Sequence, residues 1–328
     1  MDNFKGKRVL FFTTNPDINM VNTLTDMGAD VDYYCERPNQ TFITRALIRI
    51  NRKLISFQVN KYHSQILNET KSKHYDFIFF IRCEAFSRKT ISTFREQHPE
   101  AKMVVFFWDS FNNNKNSAYV YDLFDKAYCF DRYDSKQYGV RFKPLFYYDL
   151  YSTIPPKKQY KYKSLFIGTL HSDRYRLVHE IESQLSNMGY ESFSWFYLPS
   201  RLLFYKMRLE DKTIKNVDKD IIKYKTLSLE QMVGLYEQSE IIIDVQHPKQ
   251  TGLTMRTFEA LGAKRKLITT NRDIVNYDFY NPKNILVVDR DNIVIPHSFV
   301  EGPFVDLPEK IYNKYSLSRW LTEVLIES

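Results

Sequence analysis

The sequence predicts an α/β protein made of two doubly wound domains that face a cleft. Short apolar runs alternate with helix-like stretches, and this alternation stops at a Pro- and Lys-rich segment and then begins again. The chain has 328 residues, which is long for one domain and ordinary for two. Hydrophobic residues make up 43% of it, enough to build two cores.

The first half carries strand-like runs separated by helix-like stretches. Its predicted strands are Arg8–Thr13, Val31–Tyr34, Tyr75–Ile81, Lys102–Trp108 and Lys126–Phe130. Its predicted helices are Asn19–Met27, Phe42–Thr70 and Arg88–Gln97. Runs that are apolar throughout are typical of parallel strands buried on both faces, so we expect a Rossmann-like sheet covered by helices.

The second half repeats this pattern after a linker that contains Pro155 and Pro156. Its predicted strands are Ser164–Ile167, Glu240–Val245, Lys266–Thr270 and Ile285–Val288. Its predicted helices are Arg174–Met188, Thr254–Leu261 and one or two more within Leu307–Glu327. We therefore expect an N-terminal domain over 1–155, a C-terminal domain over 156–305, and a helical tail over 306–328 that could pack back on the N-terminal domain.

The net charge of +8 favours an anionic partner, which could be nucleic acid, a membrane face or a small molecule. The sequence has no RNP-type strand, zinc pattern or evident helix-turn-helix, so no nucleic acid is expected. It also has no signal-peptide pattern and no apolar run of membrane-spanning length. Cys35, Cys83 and Cys129 are widely spaced, which favours reduced thiols and a cytoplasmic protein.

Two segments that follow predicted strands offer groups for a phosphate. In open α/β sheets, ligands bind beyond the carboxyl ends of the strands. Gly168, Thr169 and His171 follow the first strand of the C-terminal half, and the helix after them presents free N–H groups. A plain strand-to-helix turn explains this segment equally well.

The second segment is Gln250–Gly262, QTGLTMRTFEALG, which lies shortly after Gln246. Gly252 precedes a helix that Thr251 or Thr254 could cap, and the N–H groups at its start suit a diphosphate.

Arg256 and Glu259 lie three residues apart and so share one face of this helix. Arg256 could bind a diphosphate, and Glu259 could accept both hydroxyls of a ribose one turn further on. The alternative is an Arg–Glu pair on an ordinary surface helix. The Gly- and Thr-rich start of the helix and its position after a buried strand favour the nucleotide.

The block QTGLTMRTFEALGAKRKLITTN is similar to the donor-binding region of GT-B glycosyltransferases. It is most similar to bacterial enzymes of capsule, lipopolysaccharide and exopolysaccharide synthesis, including the spore-coat-type group. FIGTLHSDRYRLV and FFWDS are two further short matches. The resemblance implies the GT-B fold and transfer of a sugar from a nucleotide-diphosphate donor, first expected to be a UDP-sugar, to an oligosaccharide or lipid-linked acceptor.

The resemblance also assigns roles to residues. It places Glu259 on the ribose, and Gly168 and Thr169 near the phosphates. Around the diphosphate and sugar it places Thr251, Gly252, Leu253, Thr254 and Arg256. Many retaining members carry a second Glu eight positions before the ribose Glu, where this chain has Thr251. The stereochemistry therefore stays open.

We expect no metal and no further cofactor, because cations and helix N-termini would stabilise the leaving diphosphate. An inverting mechanism needs a base for the acceptor hydroxyl. Asp109 in FFWDS is the best match to the resembled family, and Glu84 is second. Further candidates after strands are Asn15, Asp17, Asp131 and Asp134. Each could instead cap a helix or bind backbone.

Two basic, partly apolar segments, 42–63 and 200–215, suit an anionic membrane surface. They could equally be helices packed on a sheet with a solvated charged face. The membrane interpretation places the protein peripherally at the inner face of the cell membrane. Two other functions remain open: a nucleotide-sugar-binding protein without catalysis, and a basic nucleic-acid-binding protein.

Overall fold

The computed structural model describes residues 3–14, 18–39, 56–112, 114–210, 214, 217–248 and 251–327. The chain divides into two compact units. Unit 1 is Met1–Pro144 with Leu317–Ser328, and unit 2 is Leu145–Ser316. The division falls before the expected boundary at 155, and the last segment of the chain belongs to unit 1.

Unit 1 is built on a parallel sheet with six strands among the described residues. They are β1 (Arg8–Thr13), β2 (Asp30–Cys35), β3 (Phe77–Ile81), β4 (Lys102–Phe107), β5 (Lys126–Cys129) and β6 (Arg141–Phe142). Their order is β2-β1-β3-β4-β5-β6, with every neighbouring pair parallel. All of β3 and nearly all of β4 is buried, as their uninterrupted apolar sequences predict.

Helices cover this sheet. They are α1 (Ile18–Asp26), α2 (Ser56–Thr70), α3 (Arg88–Gln97), α4 (Ser117–Val120), α5 (Arg132–Tyr138) and a C-terminal helix Leu317–Thr322 that continues as one π-helical stretch, Glu323–Glu327. The helix α3 begins where the side chain of Ser87 accepts a bond from the N–H of Thr90. Residues 42–55 of the predicted helix Phe42–Thr70 lie outside the described residues.

Unit 2 also has a parallel six-stranded sheet among its described residues. Its strands are β7 (Tyr162–Thr169), β8 (Ser192–Tyr197), β9 (Ile222–Lys223), β10 (Ser239–Asp244), β11 (Lys266–Thr269) and β12 (Ile285–Val287). The order is β12-β11-β10-β7-β8-β9. The direction of winding reverses between β7 and β10, and ligands of such sheets bind beyond the carboxyl ends of the strands at that point.

The helices of unit 2 are α6 (Arg174–Asn187), α7 (Arg201–Glu210), α8 (Leu229–Glu237), α9 (Met255–Gly262), α10 (His297–Glu301) and α11 (Glu309–Asn313). Short 3-10 turns are also present in the two units, at Tyr121–Leu123, Asp149–Thr153, Lys219–Ile221 and Arg272–Asn276. Among the described residues, none of the helices has the length and apolar character needed to span a bilayer.

Gly262 ends α9 at a point where no side chain fits. A Cβ there would lie 2.5 Å from Cγ of Tyr147. The backbone N–H of Tyr147 donates to the carbonyl oxygen of Tyr315 at 2.8 Å, which holds Tyr147 in place. We expect Gly262→Ala to lower the free energy of unfolding by about 1–3 kcal/mol through overpacking. Urea denaturation checks this.

The matched control for this substitution is Gly234→Ala in α8. A Cβ at Gly234 meets no atom within 4 Å. Alanine favours a helix interior over glycine by about 0.5–1 kcal/mol, so this variant should be more stable than the parent. Equal effects of the two substitutions would contradict the close contact between Gly262 and Tyr147.

Candidate functional site

Asp244, the last residue of β10, organises the carboxyl edge of the sheet of unit 2. Its carboxylate is fully buried. Oδ2 accepts bonds from Oγ1 of Thr254 and Oγ1 of Thr257, each at 2.9 Å, and Oδ1 pairs with the guanidinium of Arg256. A buried carboxylate needs partners of this kind. They hold the start of α9 against the end of β10.

Arg256 extends from α9 to β7. Its Nε donates to the carbonyl oxygen of Ile167 at 2.7 Å, and its guanidinium lies 5.1 Å from the ring centre of Phe166. Two of its three nitrogens are therefore bonded to protein. A Cβ at Gly168 would lie 2.8 Å from the third, Nη2, and 2.7 Å from Cζ of Phe166. Gly168 thus admits the close approach of Arg256.

Arg174, the first residue of α6, was not among the predicted site residues. Its side chain is buried, with Nη1 donating to the carbonyl oxygen of Thr169 at 2.8 Å. Nε and Nη2 donate to the carbonyl oxygen of Val245 at 2.9 and 2.6 Å. Arg174 therefore joins the ends of β7 and β10. Burial lowers its pKa to about 9, and the positive charge of Arg256 adds to this.

His171 and Arg290 lie at the same edge. Burial and the charge of Arg174 lower the pKa of His171 to about 3, so it is neutral near pH 7. Its ring centre is 5.2 Å from that of His247. Arg290 binds both carboxylate oxygens of Asp173 at 2.8 Å through Nη1. Arg256 and Arg290 disfavour the charged form of Arg174, while Asp244 and Asp173 favour it, so these three arginines share two carboxylates and an added anion would be attracted.

The start of α9 provides a further group for an anion. Thr254 has the backbone geometry of a helix cap, but its side chain makes no capping bond, since its hydroxyl bonds to Asp244. The positive end of the helix dipole is therefore left to other partners. Nδ2 of Asn271 fixes the preceding loop through the carbonyls of Thr251 at 3.0 Å and Gly252 at 3.3 Å.

Glu259 lies one turn further along α9 and is partly buried. Its Oε2 accepts a bond from the phenol of Tyr236 at 2.8 Å. Burial raises the pKa of this carboxyl, while the bond from Tyr236 and the charge of Arg256 act in the opposite direction. The carboxylate is thus held in one position, as an acceptor for a ligand diol would need to be.

The other residues predicted for the donor site differ in their exposure. Thr169 and Thr251 are exposed, while Gly252 and Leu253 are buried. The side chain of Gln246 is buried and bonded to Thr270, so it joins the ends of β10 and β11. Gln246 therefore stabilises the carboxyl edge of the sheet through its bonds to Thr270.

Glu84, the second candidate base, lies at the carboxyl edge of the sheet of unit 1. It is buried and paired with Arg37, and Nη1 of Arg82 lies 3.6 Å from its Oε1. Its backbone N–H donates to both carboxylate oxygens of Glu36 at 3.1 Å. These contacts fit the alternative interpretation, a carboxylate that binds the surrounding chain, and they leave little access for an acceptor hydroxyl.

Asp109, the first candidate base, follows β4 and is half-buried. Its Oδ1 accepts the N–H of Ser110 at 3.0 Å. Asp131 caps α5 through the N–H of Tyr133 at 2.8 Å, and Asp134 accepts the N–H of Phe111 at 2.8 Å. Both of those carboxylates are buried, so Asp109 is the most accessible of the three.

Burial raises the pKa of Asp134, and the charges of Asp131 and Asp109 add to this. Asn15 and Asp17 lie outside the described residues. Among the residues that the structure describes, no group of three or more His, Cys, Asp or Glu side chains could hold a metal ion.

No protein-family model matches the sequence. No curated protein matches it either. Solved structures that it resembles include an alpha-glucosyltransferase in complex with UDP and a 13-mer DNA, with a TM-score of 0.58 and 11% identity over 97% of this chain and 94% of that chain. They also include Anabaena HepE in complex with UDP and glucose, with a TM-score of 0.56 and 8% identity over 97% of this chain and 98% of that chain.

A third similar structure is the apo form of the lipopolysaccharide outer core galactosyltransferase WaaB, with a TM-score of 0.53 and 11% identity over 98% of this chain and 99% of that chain. At sequence identities of 8–11%, these similarities are evidence for the fold alone. The two six-stranded parallel sheets and these likenesses together show that the chain has the GT-B fold, with two Rossmann-like α/β units.

Proposed function

We propose that the protein is a glycosyltransferase that binds a nucleotide-diphosphate sugar at the carboxyl edge of β7 and β10. One observation carries the proposal: Arg174 and Arg256 converge on this edge beside the start of α9, and Glu259 lies one turn beyond. Cations and helix N–H groups suit a diphosphate, and a fixed carboxylate suits a ribose diol.

The same residues support a metal-independent departure of the diphosphate. Charge develops on the leaving group in the transition state, and fixed cations and dipoles aimed at it lower the barrier. Arg174 and Arg256 are fixed by bonds to backbone carbonyls, so they need little reorganisation. UDP is the first expected nucleotide, because the structures of the alpha-glucosyltransferase and of HepE both hold UDP.

Nucleotide binding is tested by thermal unfolding with UDP, GDP, dTDP, CMP and ADP. We expect at least one to raise the melting temperature, since a ligand at 100 times its dissociation constant adds about 2.7 kcal/mol. Glu259→Gln should weaken the binding of that nucleotide about 10- to 100-fold, because the ribose diol loses a charged acceptor. Glu96→Gln, an exposed site in unit 1, is the control. No shift with any nucleotide would refute the donor site.

We further propose a lipid-linked oligosaccharide acceptor and a role in surface polysaccharide synthesis, which places the protein at the inner membrane face. Support comes from α7, a helix of the basic segment 200–215. Leu202, Tyr205 and Leu209 lie on one face of it and are 81%, 56% and 89% exposed. Arg201 and Arg208 flank this face, so the helix suits an anionic bilayer surface. The described part of segment 42–63 adds the exposed ring of Phe57.

Membrane association is checked by co-sedimentation with vesicles of phosphatidylcholine alone or mixed with phosphatidylglycerol. We expect binding to the anionic vesicles, and we expect Leu202→Glu with Leu209→Glu to weaken it about 10-fold or more. Val275→Glu with Val294→Glu is the matched control, because both valines are exposed and lie outside α7. Equal losses in the two double variants would argue against α7 as the contact.

The second candidate is a nucleotide-sugar-binding protein without catalysis. The pairing of Glu84 with Arg37 favours it, because one of the two candidate bases is thereby occupied. Both functions predict nucleotide binding, and only the first predicts turnover of the donor.

A further inference from the structure

A pocket of about 910 Å³ lies at the opposite edge of the sheet of unit 2. It is lined by residues around the start of β7, at Tyr162, and the start of β11, at Lys266. The eight residues of β7 span roughly 25 Å, so this pocket is separate from the candidate donor site at the other end of the strand. Nothing in the proposed transfer reaction uses it.

The pocket is strongly basic. Seven Lys or Arg side chains line it against three Asp or Glu side chains. Some of this charge is neutralised, since Lys163 pairs with Glu240 at 2.8 Å and Lys264 with Asp306 at 2.8 Å. Lys158 is exposed at the rim, and among the described residues it forms no ion pair.

Lys161 is the second exposed lysine of the rim. Its ammonium lies 4.8 Å from the ring centre of Tyr162 and likewise forms no ion pair with the described residues. Within the described part of the chain, Lys158 and Lys161 thus give the pocket two cations without an ion pair, although the phenol of Tyr162 and the charge of Glu191 raise the pKa of Lys161.

Arg265 lines the same pocket and is only 4% exposed. Its Nε donates to the carbonyl oxygen of Tyr236 at 3.0 Å, and its guanidinium lies 4.9 Å from the ring centre of Tyr160. Its Nη2 is buried and has no acceptor among the described residues. Buried charged donors nearly always have an acceptor, because an unsatisfied one is costly. Because Nη2 has almost no accessible surface, a ligand in the pocket would interact with Arg265 through its positive charge.

We propose that this pocket binds a phosphorylated ligand, with the ammonium groups of Lys158 and Lys161 bonded to its phosphoryl oxygens and the buried guanidinium of Arg265 adding positive charge behind them. The ammonium of an exposed lysine has three donors on a flexible stem, so two of them can adapt to phosphate oxygens of different ligands. The pocket has the volume of sites that take whole small molecules, so it can hold a polyphosphate or a lipid headgroup.

The test is the reactivity of individual lysines towards an acetylating reagent, read by mass spectrometry. Inorganic tripolyphosphate should slow acetylation of Lys158 and Lys161 at least 5-fold, while Lys89 and Lys136, both exposed in unit 1, react at an unchanged rate. A second arm uses vesicles of phosphatidylcholine with phosphatidic acid. Protection by tripolyphosphate identifies a soluble phosphate, and protection by the vesicles alone identifies a headgroup.

Arg265→Gln should reduce the protection at least 3-fold, because a positive charge beside the pocket is lost, while the far-ultraviolet circular dichroism stays unchanged. If that variant does not fold, Lys158→Gln is the second variant, and it should reduce the protection of Lys161 at least 3-fold. The proposal is overturned if neither ligand protects Lys158 and Lys161, or if Lys89 and Lys136 are protected equally. These readouts do not depend on nucleotide binding, so they fail or succeed separately from the proposed transferase.

Discussion

Asp244→Ala should lower the free energy of unfolding by about 3–5 kcal/mol, the range for breaking a buried ion pair from one side. The alanine leaves the guanidinium of Arg256 without its carboxylate, and it leaves the hydroxyls of Thr254 and Thr257 without their acceptor. The start of α9 loses its attachment to β10, so nucleotide binding should be lost as well.

Urea denaturation measures the loss of stability, and thermal shift with the bound nucleotide measures the loss of the site. Asp244→Asn should fall between the parent and the alanine variant, because an amide oxygen can still accept from the threonines. Asp291→Ala removes an exposed carboxylate of the same unit and should change stability little. An Asp244→Ala protein as stable as the Asp291→Ala protein would contradict the role given to this carboxylate.

Asp109→Asn should lower the rate of sugar transfer about 100- to 10,000-fold and leave nucleotide affinity unchanged. An amide cannot take the proton of an acceptor hydroxyl, whereas the diphosphate and ribose are assigned to unit 2. The rate of donor turnover with a saturating nucleotide sugar checks the first expectation, and thermal shift checks the second.

Asp26→Asn, at an exposed position in α1, controls for loss of one negative charge. Glu84→Gln separates the two candidate bases, because removing the partner of Arg37 should lower stability more than it lowers the rate in the protein that remains folded. Turnover that survives Asp109→Asn would assign the base to another group. A parent protein that binds nucleotide and never consumes the donor would favour the binding function.

The parallel sheets were predictable because their central strands are apolar throughout. The runs at Arg8–Thr13 and Glu240–Val245 locate β1 and β10 to within a residue at each end. Strand β8 was not predicted, since Ser192–Tyr197 carries two serines and all but one of its residues are only partly buried. Strands β6 and β9 have two residues each, too few to show a period.

The candidate site was predictable only where its residues lie close together in sequence. Arg256 and Glu259 could be placed on one helix face from their spacing. The partners of Arg256 lie elsewhere in the chain, at Asp244 and Ile167, so its bonds depend on tertiary structure. One signal was available for Asp244: a charge that directly follows three buried isoleucines, Ile241–Ile243, needs a buried partner. Arg174 lies within the matched block FIGTLHSDRYRLV, but that block does not indicate its bonds to Val245, which lies 71 residues away.

Unit 1 is made of two segments of the chain that are separated by the whole of unit 2, and this determines when unit 1 can complete its fold. Trp320 is fully packed against Phe79 and Phe106, and its indole N–H donates to the carbonyl oxygen of Pro144 at 2.8 Å. These contacts cannot form until the ribosome has made the chain as far as Trp320. All of unit 2, Leu145–Ser316, is therefore synthesised before unit 1 has its last helix, and unit 1 can complete its core only after unit 2 has been made.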